Sequence, residues 1–284
     1  MDENQEYTAP ESGSEPIPQD APVTDEAPIT QDAPVTDETP STPKPEMASS
    51  CDYVVMASGL TKLYGGFVAL NGLNITIPRG RIIGLLGPNG SGKTTFIKIL
   101  AGLLTRDAGA VTICGYEPGI QTKSLVSYLP ERTYLSSWKS VRECLDYFQD
   151  FYADFDREKA EKMLTDLSID INAKMRTLSK GTKEKVQLIL VMARRAQLYL
   201  LDEPIAGVDP AAREYIIETI IKHHNEGATV IISTHLIMDV EKALDDYLFI
   251  YNGQIFEAGN AKTILQDKGK TLDAHFREVF RYAW

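Results

Sequence analysis

The sequence predicts an α/β fold with a mainly parallel sheet that is covered by helices on both faces. Two observations lead to this prediction: short apolar runs of strand type alternate with segments of helical spacing, and one strand continues through a glycine-rich turn into a helix. The roughly 230 residues with this pattern suit one domain with a sizeable core. Such sheets bind ligands at the carboxyl ends of their strands, so polar residues there are candidate site residues.

The N-terminal half of this domain is rich in short strands. Apolar and β-branched residues predict strands at 53–60 and 73–77, around a turn at 64–66. A strand, a loop and a helix follow at 81–102. Further short strands are predicted at 111–113 and 125–128.

The C-terminal half is mainly helical before it alternates again. Residues 139–194 have helical spacing, with apolar side chains at Leu145, Phe148, Tyr152, Phe155, Val186, Ile189, Leu190 and Ala193. The predicted elements after them are strand 198–201, helix 210–224, strand 229–233, helix 235–244 and strands 247–251 and 254–256. Asn252-Gly253 is a strong hairpin turn signal between the last two. A final amphipathic helix is predicted after Gly269.

Residues 1–50 form a separate acidic and proline-rich segment. It holds 12 acidic residues and one base, Lys44, which accounts for the whole net charge of −11. A six-residue repeat runs through 21–26, 27–32 and 33–38. Such a segment buries too little apolar surface to offset the entropy of ordering, so we expect a disordered tail. It acts either as a solvated spacer or as an acidic arm that docks on a basic patch of a partner.

The composition of the chain excludes several classes of protein. No stretch approaches the roughly 18 apolar residues that cross a bilayer, and the acidic amino terminus is unlike a secretion signal. Cys51, Cys114 and Cys144 are widely spaced, which indicates free thiols in a reducing compartment. A nearly neutral body argues against nucleic acid as a partner. We therefore expect a cytoplasmic protein.

Residues 87–95 match the phosphate-binding pattern G-x-x-x-x-G-K-[ST] at every fixed position. Because the loop joins a strand to a helix, its N–H groups and the positive helix end converge on one point, which suits a phosphate chain. Lys93 adds a cation for the terminal phosphates, and the Thr94 hydroxyl is placed to hold Mg²⁺. A chance glycine-rich turn is the alternative. The candidate residues are Gly87, Pro88, Asn89, Gly90, Ser91, Gly92, Lys93, Thr94 and Thr95.

Two carboxylates follow the predicted strand 198–201. In phosphate-loop enzymes an acid at the position of Asp202 holds Mg²⁺, and Glu203 could deprotonate an attacking water. The alternative is a buried strand capped by solvated acids. Asp209 precedes Pro210 and could cap the next helix. His235 follows the next apolar strand, where parallel sheets bind ligands, although an ordinary cap or core histidine is the commoner case.

These motifs together resemble the ATP-binding subunit of an ABC transporter over about residues 53–258. The phosphate loop, Leu178–Thr182, the strand to Glu203, the turn at 206–209 and His235 occur in that family's order. The stretches 129–132, 179–185 and 202–209 look most like the ABC-2 export type.

The resemblance implies a phosphate-loop NTPase core with an N-terminal antiparallel β-subdomain and an inserted helical subdomain at about 135–195. The implied boundaries are a tail at 1–50, an ATP-binding domain at 51–260 and a helical extension at 261–284. ATP and Mg²⁺ are the implied cofactors. The resemblance implies that Tyr64 stacks on adenine, with Phe67 as a weaker candidate, and that Glu131 contacts Mg²⁺ and water. It implies that His235 senses the γ-phosphate. The ATP of another subunit would be contacted in trans by Ser179, Gly181 and Asp209. The alternative for Tyr64 and Phe67 is a place in the β-subdomain core.

The chain departs from the family pattern in two places. Lys180 and Thr182 replace a glycine and a glutamine of the usual Leu-Ser-Gly-Gly-Gln, while Ser179 remains able to cap the next helix. Glu131 stands where most of the family has a glutamine. An acid there could strengthen metal binding or raise the pKa of Glu203. We expect both effects to be modest and hydrolysis to survive.

The resemblance also implies partners. Because the segment at Ser179 starts a helix remote from the phosphate loop, a second copy or another ATP-binding subunit would supply it, in a head-to-tail dimer that closes on ATP. Separate integral-membrane permease subunits would dock near 131–155, with Tyr134 and Trp138 as contact candidates. The protein would then be peripheral at the inner face of the cell membrane.

Two other functions stay open at this point. One is a soluble ABC ATPase that acts on ribosomes or DNA; such relatives usually carry two ATP-binding domains or a long coiled coil, which this sequence lacks. The other is a nucleotide-sensing regulator without catalysis, which Lys93, Asp202, Glu203 and His235 disfavour.

Overall fold

The computed structural model describes residues 52–281, and the predictions for the acidic tail and for Cys51 lie outside this range. The N-terminal elements are β1 (Tyr53–Tyr64), β2 (Phe67–Pro78), β3 (Ile82–Leu86), α1 (Lys93–Leu100), β4 (Ala108–Ile113), α2 (Ile120–Lys123) and β5 (Val126–Leu129). The helical segment contains α3 (Val141–Phe151), α4 (Arg157–Asp166), a 3₁₀ turn (Met175–Thr177) and α5 (Lys180–Met192).

The remaining elements alternate between strand and helix. They are β6 (Leu198–Asp202), α6 (Pro210–His223), β7 (Thr229–Thr234), α7 (Ile237–Val240), a 3₁₀ turn (Glu241–Ala243), β8 (Asp246–Tyr251), β9 (Gln254–Asn260), α8 (Ile264–Lys268) and α9 (Leu272–Val279). None of the helices within 52–281 combines the length and apolar character that a membrane span requires.

The strands form two sheets. One has the order β2-β1-β4 and is antiparallel. The other has the order β5-β6-β7-β3-β8-β9 and is parallel except for the β8–β9 pair. Every residue of β3, β6 and β7 is buried, as expected for strands that are covered on both faces. The predicted α/β fold with a mainly parallel sheet is confirmed.

Two hydrophobic cores lie on opposite faces of the large sheet. Successive residues of one strand belong to different cores: Leu198 and Leu200 pack with α1 and the β1–β2 hairpin, whereas Tyr199 and Leu201 pack with the helical segment. This alternation is the two-residue period of a strand. It fixes the register, because a slip by one residue would exchange the two faces.

The helical segment differs from the prediction in where its first helix ends. α3 stops at Phe151, so Tyr152 and Phe155 lie beyond it. The chain must turn there because Asp156 caps α4 and its N–H donates to the Ala193 carbonyl. Both rings still pack on Phe148, with centroids 5.3 and 5.6 Å away. The apolar spacing of Tyr152 and Phe155 therefore indicates core positions rather than one continuous helix.

The helix predicted over 235–244 is also too long. Only α7 and the 3₁₀ turn after it are helical, because Leu244 is buried in extended backbone and leads directly into β8. The Asp245 N–H donates to the Ile82 carbonyl, which ties this exit to β3. In the predicted extension, α8 was not anticipated, whereas α9 follows Gly269 as predicted. The boundary at residue 260 stays a prediction.

Candidate functional site

The phosphate loop lies beside a cleft of about 330 Å³ at the carboxyl ends of β3, β6 and β7. Segments that are distant in the sequence meet there. The lining residues are Tyr64, Phe67, Ala69, Asn89, Gly90, Gly92, Lys93, Thr94, Thr95, Glu131, Glu203, Ala206 and His235. Most of the predicted site residues therefore share one concave surface, which is the form that small-molecule sites take.

Close packing fixes the shape of the phosphate loop. A Cβ at Gly87 would overlap the Ile250 carbonyl oxygen, and one at Gly92 would lie 2.6 Å from the Ala69 carbonyl oxygen. The Gly253 N–H donates to the Ser91 carbonyl over 3.0 Å. Hairpins at both ends of the domain thus hold the loop from outside, so that its backbone approaches a ligand in one conformation.

Lys93 is buried at the base of this loop. Its Nζ donates to the carbonyl oxygens of Gly87 and Pro88 over 2.7 and 3.0 Å. Burial lowers the pKa of Lys93, while the nearby charges of Glu203 and Asp202 oppose this shift. The ammonium is therefore oriented toward the loop by weak carbonyl partners, which an anionic ligand could replace with stronger ones.

Asp202 offers a buried carboxylate with one oxygen unused. It is 1% exposed, and its Oδ1 accepts from Thr94 Oγ1 at 3.1 Å and from Ser233 Oγ at 2.6 Å. Its Oδ2 has no hydrogen-bond partner among residues 52–281. A buried, unpaired anionic oxygen is costly. The carboxylate and the hydroxyl beside it are ligands that Mg²⁺ prefers, so these residues fit a Mg²⁺ site that is completed by a substrate.

Ser233 is a site residue that the sequence analysis missed. Its hydroxyl donates to Asp202, and its carbonyl and hydroxyl oxygens both accept from the Glu203 N–H. The available signal was a hydroxyl near the end of an otherwise apolar strand, two residues before His235. It indicates that β7 positions both acids.

Glu203 and His235 form a direct pair. The His235 Nδ1 lies 3.1 and 3.2 Å from the two carboxylate oxygens of Glu203, and an N–H at this nitrogen donates to them. Glu203 also has a left-handed backbone with a φ of 50°, which is unfavourable for a residue with a side chain. Because the surrounding structure holds this conformation, the carboxylate has a fixed direction at the cleft.

Tyr64 and Phe67 are surface aromatics at the tip of the β1–β2 hairpin. They are 46% and 58% exposed, and both line the cleft. The alternative that they belong to the β-subdomain core is therefore wrong. Their exposed rings offer an apolar stacking surface at the cleft.

Glu131 brings a further carboxylate to the lining of the cleft. Its charge is felt by Tyr128, whose pKa is raised first by burial and then by Asp202 and Glu131. Glu131 and Asp202 thus act on a common neighbour. The cleft concentrates negative charge near the place where a metal would lie.

Seven predicted residues do not line the cleft. Gly87, Pro88 and Ser91 belong to the phosphate loop, and Asp202 accepts a hydrogen bond from Thr94 of that loop. The other three are Ser179, Gly181 and Asp209. Ser179 Oγ accepts from the Thr182 N–H at 3.1 Å, which confirms that it caps α5. Asp209 Oδ1 accepts from the Ala212 N–H at 3.1 Å and caps α6, as the sequence also predicts.

The two segments that carry these caps lie side by side in one protomer. A Cβ at Gly207 would lie 2.9 Å from Lys180 Nζ, so the turn at 206–209 contacts the start of α5. Lys180 is otherwise exposed, and its nearest ion pair is a weak one with Glu184 at 3.8 Å. The Lys180 side chain is 75% exposed, and Lys180 is not among the residues that line the chain's own cleft.

Comparison with known proteins places these features in one family. A family model described as ABC transporter matches residues 70–206. The uncharacterized ABC transporter ATP-binding protein YhaQ of Bacillus subtilis is 31% identical over 216 residues, which cover 74% of this chain and 72% of that protein. The linearmycin resistance ATP-binding protein LnrL of Bacillus subtilis is 29% identical, over 72% of this chain and 69% of its own length.

A solved structure of an ATP-binding subunit of an ABC transporter has the same fold. It superposes with a TM-score of 0.72 at 26% identity and covers 80% of this chain and 99% of that one. The residues that the family model matches, 70–206, include the phosphate loop and both acids.

Proposed function

Because this chain belongs to the ABC transporter family of ATP-binding proteins, we propose that it is the ATP-hydrolysing motor subunit of an exporter. Membership of the family implies binding of nucleotide and ATPase activity. One observation carries the proposal: the phosphate loop and the Glu203–His235 pair line one cleft, and Thr94 of that loop donates to Asp202, whose other oxygen is unpaired among residues 52–281. The residue roles and the coupling to transport are the proposed part.

The phosphate loop would hold the triphosphate of ATP, with the base against Tyr64. Lys93 would exchange its two carbonyl partners for phosphate oxygens, a stronger charge-assisted contact. Phe67 lies on the same exposed hairpin and offers a second apolar surface. The proposed ATP-binding set is the loop 87–95 with Tyr64.

Thr94, Asp202 and Glu131 would hold Mg²⁺. When bound, Mg²⁺ would neutralise negative charge on the phosphates and so favour transfer of the γ-phosphoryl group. Asp202 supports this role through its buried, unpaired oxygen, and Thr94 through its position beside that carboxylate.

Glu203 would act as the general base. The oxygen of a water molecule attacks the γ-phosphorus, the bond from this phosphorus to the β–γ bridging oxygen breaks, and ADP leaves with that electron pair. Glu203 accepts the proton of the attacking water. His235 keeps the carboxylate in place and lies at the cleft, where it could contact the γ-phosphate.

Replacing Glu203 by glutamine tests this assignment. We expect kcat for ATP to fall by about 100-fold or more, because the amide cannot take a proton, while ATP still binds. The measurement is steady-state release of phosphate together with equilibrium binding of ATP. Wild-type turnover by Glu203→Gln would refute the role of Glu203.

A second ATP-binding protomer would complete the site. Ser179, Gly181 and Asp209 are proposed to contact the ATP of the partner in a head-to-tail dimer, homomeric or heteromeric. The absence of all three from their own cleft supports this arrangement. Sedimentation of Glu203→Gln, which should trap ATP, tests the homodimer: we expect a dimer with MgATP and a monomer without it.

Export would require separate integral-membrane permease subunits, with this chain on the inner face of the cell membrane. The resistance function in the name of LnrL supports an export role. Tyr134 and Trp138 are 48% and 72% exposed in the segment before α3, which makes them accessible to such a partner. Nucleic acid is not among the proposed partners.

A further inference from the structure

A small cavity adjoins the cleft beside Glu131 and Glu203. Its volume is about 20 Å³, and three segments contribute to it: Glu184 and Gln187 from α5, Pro130 and Glu131 after β5, and Glu203 and Ala206 after β6. Roughly 10–15 Å³ is enough for one water molecule. Glu131 and Glu203 also line the nucleotide cleft, so the two spaces share a wall.

Two side-chain oxygens of α5 at this cavity lack hydrogen-bond partners among residues 52–281. Gln187 is 3% exposed, and its Nε2 donates to the Pro130 carbonyl at 3.4 Å, but its Oε1 is buried and unpaired within the described chain. Glu184 Oε2 is likewise buried and has no hydrogen-bond partner within the described chain. Burying two unpaired acceptors is unfavourable, and one water molecule has two O–H donors to offer them.

Gln187 is an exception on its helix. Its neighbours Val186 and Leu188–Met192 are all buried and apolar. An amide in such a run needs polar partners, which the Pro130 carbonyl supplies for only one side of the group. No cluster of three or more His, Cys, Asp or Glu side chains that could hold a metal ion occurs in residues 52–281.

We propose that this cavity holds one ordered water molecule that donates to Gln187 Oε1 and Glu184 Oε2 and links α5 to the segments carrying Glu131 and Glu203. Gln187 and Glu184 are then positioning residues. Because α5 begins at Ser179, the link connects the segment that serves the partner's ATP with the acids of the protomer's own cleft. Its effect on hydrolysis rests on the proposed function.

The water itself is tested by a high-resolution crystal structure of the wild-type chain. We expect an ordered water within hydrogen-bond distance of Gln187 Oε1 and Glu184 Oε2. A cavity that is empty, or that is filled by a rotated side chain, overturns the proposal. This readout does not depend on enzymatic activity.

The positioning role is tested by kinetics on the full chain. Gln187→Leu and Glu184→Leu remove an acceptor each, and we expect kcat to fall about tenfold while KM changes less than about twofold, because the phosphate loop is untouched. Glu184→Gln keeps an acceptor oxygen and should retain most of the rate. Glu226→Gln is the matched control, since Glu226 is exposed before β7, at the opposite end of that strand from the cleft.

The outcomes separate this inference from the proposed function. An inactive wild-type chain that binds no ATP refutes the proposed function, and the crystal structure still decides the water. An active wild type with normal kcat in both leucine variants refutes the positioning role alone. If a leucine variant does not fold, the loss of kcat must appear in the other one, and its absence there also overturns the role.

Discussion

Asp202 and Glu203 are neighbours in the chain, yet they have different surroundings. Asp202 is buried among hydroxyl donors and keeps one oxygen unpaired, which suits a metal ligand. Glu203 turns toward the cleft and faces the ring of His235, which suits proton transfer. The two adjacent carboxylates therefore have different environments, which support the two different roles proposed for them.

Glu131→Gln tests whether the additional acid matters. We expect kcat for ATP to change by less than about threefold, because Glu131 lies on the exposed wall of the cleft, where water screens its charge. Steady-state ATPase assays at matched MgATP concentrations measure this. A large gain in rate would show that Glu131 inhibits hydrolysis, contrary to our expectation.

Glu184→Gln tests the burial of the carboxyl on α5. Burial raises the pKa of Glu184, with Lys180 opposing the shift, so the folded protein binds this proton more tightly than the unfolded chain does. The contribution of Glu184 to the free energy of unfolding of the wild-type protein therefore falls as the pH rises through that pKa. We expect Glu184→Gln to raise Tm more at about pH 8 than at about pH 5. Thermal unfolding at both pH values measures it; an equal effect would contradict burial of the charge.

At the scale of elements, the sequence predicts best where one local rule decides the structure. The apolar runs of β3, β6 and β7, the caps Ser179 and Asp209 and the Asn252-Gly253 turn all follow such rules. The helix at 235–244 failed because its exit toward β3 depends on a long-range bond of Asp245.

Side-chain pairing across segments was harder to predict. The sequence identified the loop, both acids and His235 as candidates, because each occupies a motif position. It did not identify Ser233 or Gln187, which form hydrogen bonds with residues 31 and 57 positions away, or Glu184, which lines the small cavity with Glu131 and Glu203. Only the packing of α5 and β7 around the cleft makes these contacts visible.

The segment before α3 is the element that we expect to face a membrane partner. Tyr134→Ala with Trp138→Ala should uncouple ATP turnover from the purified membrane complex and lower its stimulation by about fivefold or more, since exposed aromatics often dominate interfaces. ATPase assays with and without the permease measure this. Tyr53→Ala on β1, an exposed aromatic outside residues 131–155, is a control for general loss of aromatic surface. Unchanged stimulation would exclude this segment as the contact.

At the scale of the whole molecule, we propose that the machinery for hydrolysis is divided between two surfaces. The phosphate loop, Glu203 and His235 share one cleft, whereas Ser179 and Asp209 do not line it and belong to two segments that contact each other through Lys180 and Gly207. The central claim is that one protomer is incomplete and that ATP closes two protomers on each other.

The most direct test measures ATP turnover of the wild-type chain over a roughly 100-fold range of protein concentration, with sedimentation under the same conditions. We predict that activity per protomer falls as the dimer dissociates and approaches zero in the monomer. Full-rate turnover by a strictly monomeric chain would contradict it.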